Sequence, residues 1–309
     1  MSGYAQQAQE YLRLRTALGH KLAEAHRLLP SFTAYLDEIA APAITIEAAL
    51  AWAQLPDAGP GTSVWARRMA VARGFARHMS GIEPATEVPP AGLVTFRQRW
   101  RPPFIYSPAD VQALMGEVPR LVPAPLRAAT FQTMIGLLAA TGMRIGEVIA
   151  LGRGDIDWAE DVIVVRDAKF GKSREVPLAP TVVAALARYA ALRDQALPAP
   201  ASSAFFLSGR GSAGSCSDFE SRFRQLLART GVGAGAPARP RVHDLRHSFA
   251  VHTLARWYRA GEDVAALLPR LSTYLGHLIP GYTYRYLSAT PELLQLAAAR
   301  LEKAKEAGQ

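Results

Sequence analysis

Cysteine is almost absent. A single residue, Cys216, in a chain of 309 excludes a disulfide scaffold and a four-cysteine zinc site, and it fits a reducing compartment. Long apolar runs are missing too. No stretch reaches the roughly 18 residues that a membrane span needs, and charges recur through the opening segment up to Pro30, so neither a span nor a secretory signal is expected. No membrane partner follows, and the expected setting is the bacterial cytoplasm, in association with the nucleoid. No G-x-x-x-x-G-K-[ST] loop is present to cradle the phosphates of ATP. Lysine is scarce, at five of the thirty-five bases, and no acid at all occurs between Ala58 and Ile82. The chain carries a formal +9, which points to a polyanionic partner, although an excess of arginine over lysine also follows from a GC-rich genome.

The length allows two domains with cores of their own. Residues 4 to 79 read as helices. In the last of them, SVWARRMAVARGFARHMS, residues Trp65, Met69, Ala72, Ala76 and Met79 fall on one face, and Arg67, Arg73, Arg77 and His78 fall on the other. With no acid nearby in sequence, those arginines read as unpaired charge able to lie along a phosphate backbone. Five prolines interrupt residues 81 to 103, which end in alternating Arg97, Arg99 and Arg101. The expected division is a helical domain over 1–90, a linker over 91–104 and a second domain over 105–309.

That second domain is expected to be mainly α with a small β-sheet. Ser107 followed by Pro108 starts a helix, and Thr141-Gly142 stops a long apolar one. DVIVVRDAK and KSREVPL alternate as strands about a Phe170-Gly171 turn, and Ser217 with Glu220 reads as a capping box. The glycine-rich GVGAGAPARP, 231–240, reads as an interdomain or ligand-free surface loop.

Four segments hold polar groups that a plain core does not need. Arg144 sits in the first turn of TGMRIGE, and Lys169 and Lys172 flank the turn of KFGKSREVPL. His243 and Arg246 lie one helical turn apart in HDLRHSFA. His277 of LGH is followed by Tyr282, Tyr284 and Tyr286. Taken singly, each has an ordinary structural reading as a surface arginine, edge-protecting lysines or packing aromatics.

Their order resembles the catalytic domain of the tyrosine recombinase (phage integrase) family, over residues 105 to 295. The helical domain before the linker is similar to that family's core-binding domain, and YRYLSATPELL resembles the transposase-type branch carried by mobile elements. The resemblance implies a site-specific recombinase that cuts and rejoins DNA without metal, cofactor or ATP. It implies a clamp around duplex DNA, four protomers on paired sites, and other recombinases of the same element as further partners. It places Arg144, Lys169, His243, Arg246 and His277 in the catalytic set and, by the spacing of nine from the LGH histidine, the nucleophile at Tyr286, with Tyr282 and Tyr284 as competitors. Lys172, Arg174, Arg67, Arg73, Arg77, Arg97, Arg99 and Arg101 are the expected DNA contacts. The helix after Thr290 packs into its own core or, as the resemblance suggests, docks on a neighbouring protomer.

The chemistry of the residues agrees with this. Attack on a phosphodiester gathers charge that two guanidinium forks can clamp. A phenol, with an ordinary pKa of about 10, needs a base or nearby cations. His243 is the candidate base, and Lys169 the acid for the leaving oxygen. Three rivals stand beside this reading. One is zinc held by His243 and His247 at i, i+4, another is a DNA-binding protein that has lost its chemistry, and the third is a type IB topoisomerase.

Overall fold

The computed structural model describes residues 3–20, 22–57, 59, 62–96, 101–166, 173–277, 279, 281–287 and 290–307. The chain divides into two compact units, Met1–Trp100 and Arg101–Gln309. The mainly α fold with one small sheet is the one expected, and none of the described helices is long and apolar enough to cross a membrane.

The first unit holds α1 (Gly3–Ala17), α2 (Ala23–Glu38), α3 (Ile46–Ala53) and α4 (Ser63–Met79). Leu29, Phe32, Leu36, Trp52, Met69 and Phe75 close its core without exposed surface or nearly so. Thr45 caps α3 by accepting from Ala48 N, and Glu87, beyond α4, returns to accept from Ile46 N at 2.8 Å. The apolar face expected on α4 is present, with Phe75 added to it. The expectation of unpaired charge on its other face is corrected. Arg67 reaches Glu24 on α2 at 3.2 Å, Arg68 is buried over the Trp52 ring and pairs with Asp57, and Arg73 donates to Pro89 O at 2.9 Å. The acids missing from the local sequence arrive from other elements. Arg77 remains exposed.

The second unit opens with α5 (Pro108–Leu121), capped by Ser107 and Asp110 as a capping box, and α6 (Pro125–Thr141). Helix α6 buries Phe131, Met134, Ile135, Leu137 and Leu138 against α5, α8 and α10. After α7 (Ile145–Ala150) come β1 (Ile156–Asp157), β2 (Val162–Val165) and β3 (Arg174–Pro177) in an antiparallel sheet of order β1-β2-β3, with Ile163 opposite Val176 and Val165 opposite Arg174. The expected hairpin strands therefore pair, while its turn, with Lys169 and Lys172, lies outside the described residues.

Then follow α8 (Pro180–Ala196), α9 (Cys216–Thr230), α10 (Val242–Arg259), α11 (Val264–Leu275), α12 (Gly281–Tyr284) and α13 (Pro291–Ala307). The capping box expected at Ser217 is corrected. Helix α9 starts two residues earlier with Ser215 at its N-cap, and the two serine hydroxyls bond each other at 2.8 Å. Helix α13 packs against α10 of its own chain, burying Leu293 and leaving Leu294 exposed.

Candidate active site

Helix α10 begins where the carboxylate of Asp244, almost wholly buried, accepts the Arg241 N–H at 2.9 Å and the Arg241 guanidinium at 2.9 Å. This anchor sets the phase of the helix, so that Arg246, two residues on, points into the unit. Arg246 is 2% exposed and donates to Gly142 O at 2.8 Å and to Leu275 O. A buried cation is tolerable only when its N–H groups are satisfied. Here the ends of two helices supply the acceptors. Burial lowers its pKa to about 10, with Arg144 adding to the effect, and it stays charged at neutral pH.

Arg144 stands at the N-cap of α7. It donates to Glu147 Oε1 at 2.7 Å and to Gly276 O at 3.1 Å. The two arginines are held in a crossed arrangement, each by the carbonyl of a glycine that ends a helix. Gly142 closes α6 with φ +61° and Gly276 closes α11 with φ +65°. Glu147 was not singled out from the sequence, although it stands three residues after Arg144 in the spacing of a capping box. Burial alone would raise its carboxyl, but hydrogen bonds from Arg174 and from the Arg144 backbone and side chain bring it down to about 2.

Arg174, expected among the DNA contacts, faces inward here. Its side chain is only 10% exposed, grips both Glu147 oxygens at 3.0 and 2.7 Å, and donates through Nε to Tyr274 O at 2.8 Å. All three of its nitrogens are engaged inward. Arg101 is exposed, and Arg97 and Arg99 lie outside the described residues.

His277 follows Gly276 and shares a hydrogen bond of 2.8 Å between its Nδ1 and the hydroxyl of Thr283, a buried residue that the sequence reading passed over. Burial, then Arg246 and Arg144, lower the His277 pKa to about 4. His243 is likewise lowered to about 4, by desolvation first and then by His247 and Arg246. More than a third of its surface is open to solvent, and the ring is neutral at pH 7.

Tyr286 is 5% exposed and lies beside the Arg246 charge. Burial raises its pKa, and the Arg246 charge offsets part of that rise. Its ring lies 5.4 Å from His247 and 6.1 Å from His277, centre to centre. Tyr282 and Tyr284 are about half exposed, and Tyr282 packs against the Arg285 guanidinium. Of the three tyrosines, only Tyr286 is buried against the arginine pair. Among the described residues no three His, Cys, Asp or Glu side chains converge as metal ligands would.

Residues 106–292 match the family model described as the phage integrase family. The chain belongs to that family. This tyrosine recombinase is 41% identical over 309 residues to the Sinorhizobium fredii (strain NBRC 101917 / NGR234) protein y4rB, whose name places it among integrases and recombinases; the match covers 98% of each chain. It is 30% identical over 219 residues to tyrosine recombinase XerC of Roseiflexus sp. (strain RS-1), covering 70% of this chain and 65% of the relative. Among solved structures, it shares its fold with the XerH recombinase in a post-cleavage complex with palindromic difH DNA. There the TM-score is 0.65 at 16% identity, over 98% of this chain and 86% of the other. The Tn1549 transposon integrase in complex with circular intermediate DNA gives a TM-score of 0.63 at 17% identity, over 96% and 99%.

Proposed function

We propose that this recombinase cuts and rejoins duplex DNA at specific sites through a covalent bond between Tyr286 and a 3′ phosphate. The observation that carries the reading is the burial of Tyr286 against the His277 ring, beside an arginine pair, Arg246 and Arg144, that the carbonyls of Gly142 and Gly276 hold in place. A scissile phosphate placed there meets two fixed cations, which stabilise the charge that gathers on its non-bridging oxygens in the transition state. His277 donates a further hydrogen bond to that phosphate. The Tyr286 oxygen attacks phosphorus as its proton passes to His243. The bond from phosphorus to the 5′ oxygen breaks, and that oxygen takes a proton from Lys169. The phosphodiester is exchanged for a phosphotyrosyl ester, so religation is the same step in reverse and needs neither ATP nor a metal. Lys172, Arg67, Arg77, Arg97, Arg99 and Arg101 hold the backbone on either side, with Arg73 turned to Pro89 and Arg174 to Glu147. Four protomers on two duplexes exchange one strand at a time.

The test is a nicked duplex, enriched from a random-sequence library by binding to the full chain, that loses its short strand on cleavage and so traps the adduct. Wild type forms a covalent complex at Tyr286 and Tyr286→Phe forms none. A protein that binds the same DNA and never forms the adduct is a binding factor. An adduct that survives Tyr286→Phe and disappears in Tyr284→Phe moves the nucleophile.

A further inference from the structure

Tyr286 belongs to a short stretch of chain with little regular structure to aim it. Helix α12 has only four residues, and the backbone N–H of Tyr286 is held by a single bond to Thr283 O at 3.0 Å. Its side chain is buried and has two imidazoles against its ring, His277 near parallel at 6.1 Å and His247 tilted by 60° at 5.4 Å. One of these, His277, is already part of the proposed chemistry. The other, His247, is not. It rides on the 18-residue α10, one turn after His243, whose ring it meets edge to face at 4.8 Å. Its Nδ1 is buried and makes no hydrogen bond. A nitrogen left in that state costs free energy and contributes no contact, so what His247 offers Tyr286 is the packing of its ring, tilted by 60° to the phenol.

We infer that His247 is a positioning residue for the nucleophile, an aromatic ring packed against Tyr286 at 5.4 Å that, together with His277, holds the phenol in line with the phosphate gripped by Arg246. The inference rests on Tyr286 being the nucleophile. It explains why an aromatic ring occupies this turn of α10 without using its polar atoms. It also separates His247 from His243, whose role requires a nitrogen that accepts a proton. The distinction is chemical: phenylalanine keeps an aromatic ring against Tyr286 and removes the orphaned nitrogen, whereas leucine fills the volume and removes the ring.

Single-turnover adduct formation on the nicked duplex tests this in the full chain, with DNA affinity and thermal midpoint measured in parallel. His247→Phe is expected to cleave within about threefold of wild type, with an unchanged or higher midpoint, because it loses only an unsatisfied polar atom. His247→Leu is expected to bind the duplex as wild type does and to cleave more slowly by on the order of 10 to 100 fold, the penalty of a misaimed reactive group. His247→Leu cleaving at the wild-type rate overturns the inference, as does His247→Phe cleaving as slowly as His247→Leu, which would show that the nitrogen matters. Should His247→Leu not fold, a folded His247→Phe that forms no adduct is sufficient to overturn it. Tyr286→Phe serves as the control for the underlying reading: an adduct persisting there removes the nucleophile itself, whatever the His247 variants do.

Discussion

Glu147 is where the two ends of the site meet. It holds Arg144 on one side and Arg174 on the other, and the charge of both keeps its carboxylate ionised. Arg174 is therefore expected to act on the reaction through Glu147, whereas a phosphate contact would act on DNA directly. The two roles differ measurably. Arg174→Lys cannot reproduce a two-pronged grip on a carboxylate, so it is expected to destabilise the chain by about 1 to 3 kcal/mol in urea denaturation. The slope of log affinity for DNA against log salt should stay the same, because no phosphate contact has been removed. A slope reduced by about one with stability intact would return Arg174 to the DNA surface. The sequence did not separate these roles. Arg174 lies on a hairpin strand beside two lysines, and nothing local marks that its partner is an acid 27 residues earlier. Arg144, Arg246, His243, His277 and Tyr286 stood out because each is a polar group in a segment otherwise built to pack. The hairpin strands were equally legible from their alternation, and Lys169 lies outside the described residues.

At the scale of elements, the site is built from helix ends. Helices α6 and α11 stop at glycines whose carbonyls receive Arg246 and Arg144, so the positions of two cations are fixed by where two helices terminate. The stop at Gly142 could be read from Thr141-Gly142. That its carbonyl serves an arginine 104 residues on could not, since hydrogen bonds across the fold leave no local pattern. The same limit explains the arginines of α4: periodicity shows which side of the helix they occupy, but Glu24 and Asp57 come from elsewhere. Gly276 is the sharper test. Its φ is +65°, and a Cβ there would come within 2.9 Å of Arg174 Nη1, which Glu147 holds in place. Gly276→Ala is expected to cost about 1 to 2 kcal/mol for the left-handed backbone, and more for the displaced guanidinium. It should also slow adduct formation while DNA affinity changes little. Wild-type cleavage by a stable Gly276→Ala protein would show that the crossed arrangement of carbonyls and arginines is not needed.

For the whole molecule, the placement of charge matters more than its amount. Up to Arg101 there are eleven bases and eight acids, and beyond it twenty-four and eighteen, so both units carry an excess. The second unit also concentrates cations in its interior, and this has a consequence for stability. His243 and His277 are lowered to about 4, and His247 is lowered as well, because burial and the neighbouring arginines oppose protonation. In the unfolded chain the same side chains titrate near 6.5. As pH falls below about 6.5, the unfolded state binds protons that the folded state refuses, so stability rises with pH across that window and is lost toward pH 4. Glu147, held at about 2 against an ordinary carboxyl near 4.5, adds a further loss below pH 5 with the same sign. Thermal denaturation of the DNA-free chain from pH 7.5 to 5 is therefore expected to show a falling midpoint. His277→Gln, which keeps a polar group near Thr283 and cannot titrate, should flatten that fall. A midpoint independent of pH between 6.5 and 5, or a fall as steep in His277→Gln, would mean that these rings are not held neutral by the arginines beside them. Scissile phosphate entering the site brings negative charge to the same place, so DNA should raise the histidine pKa values and reduce the loss of stability in mild acid.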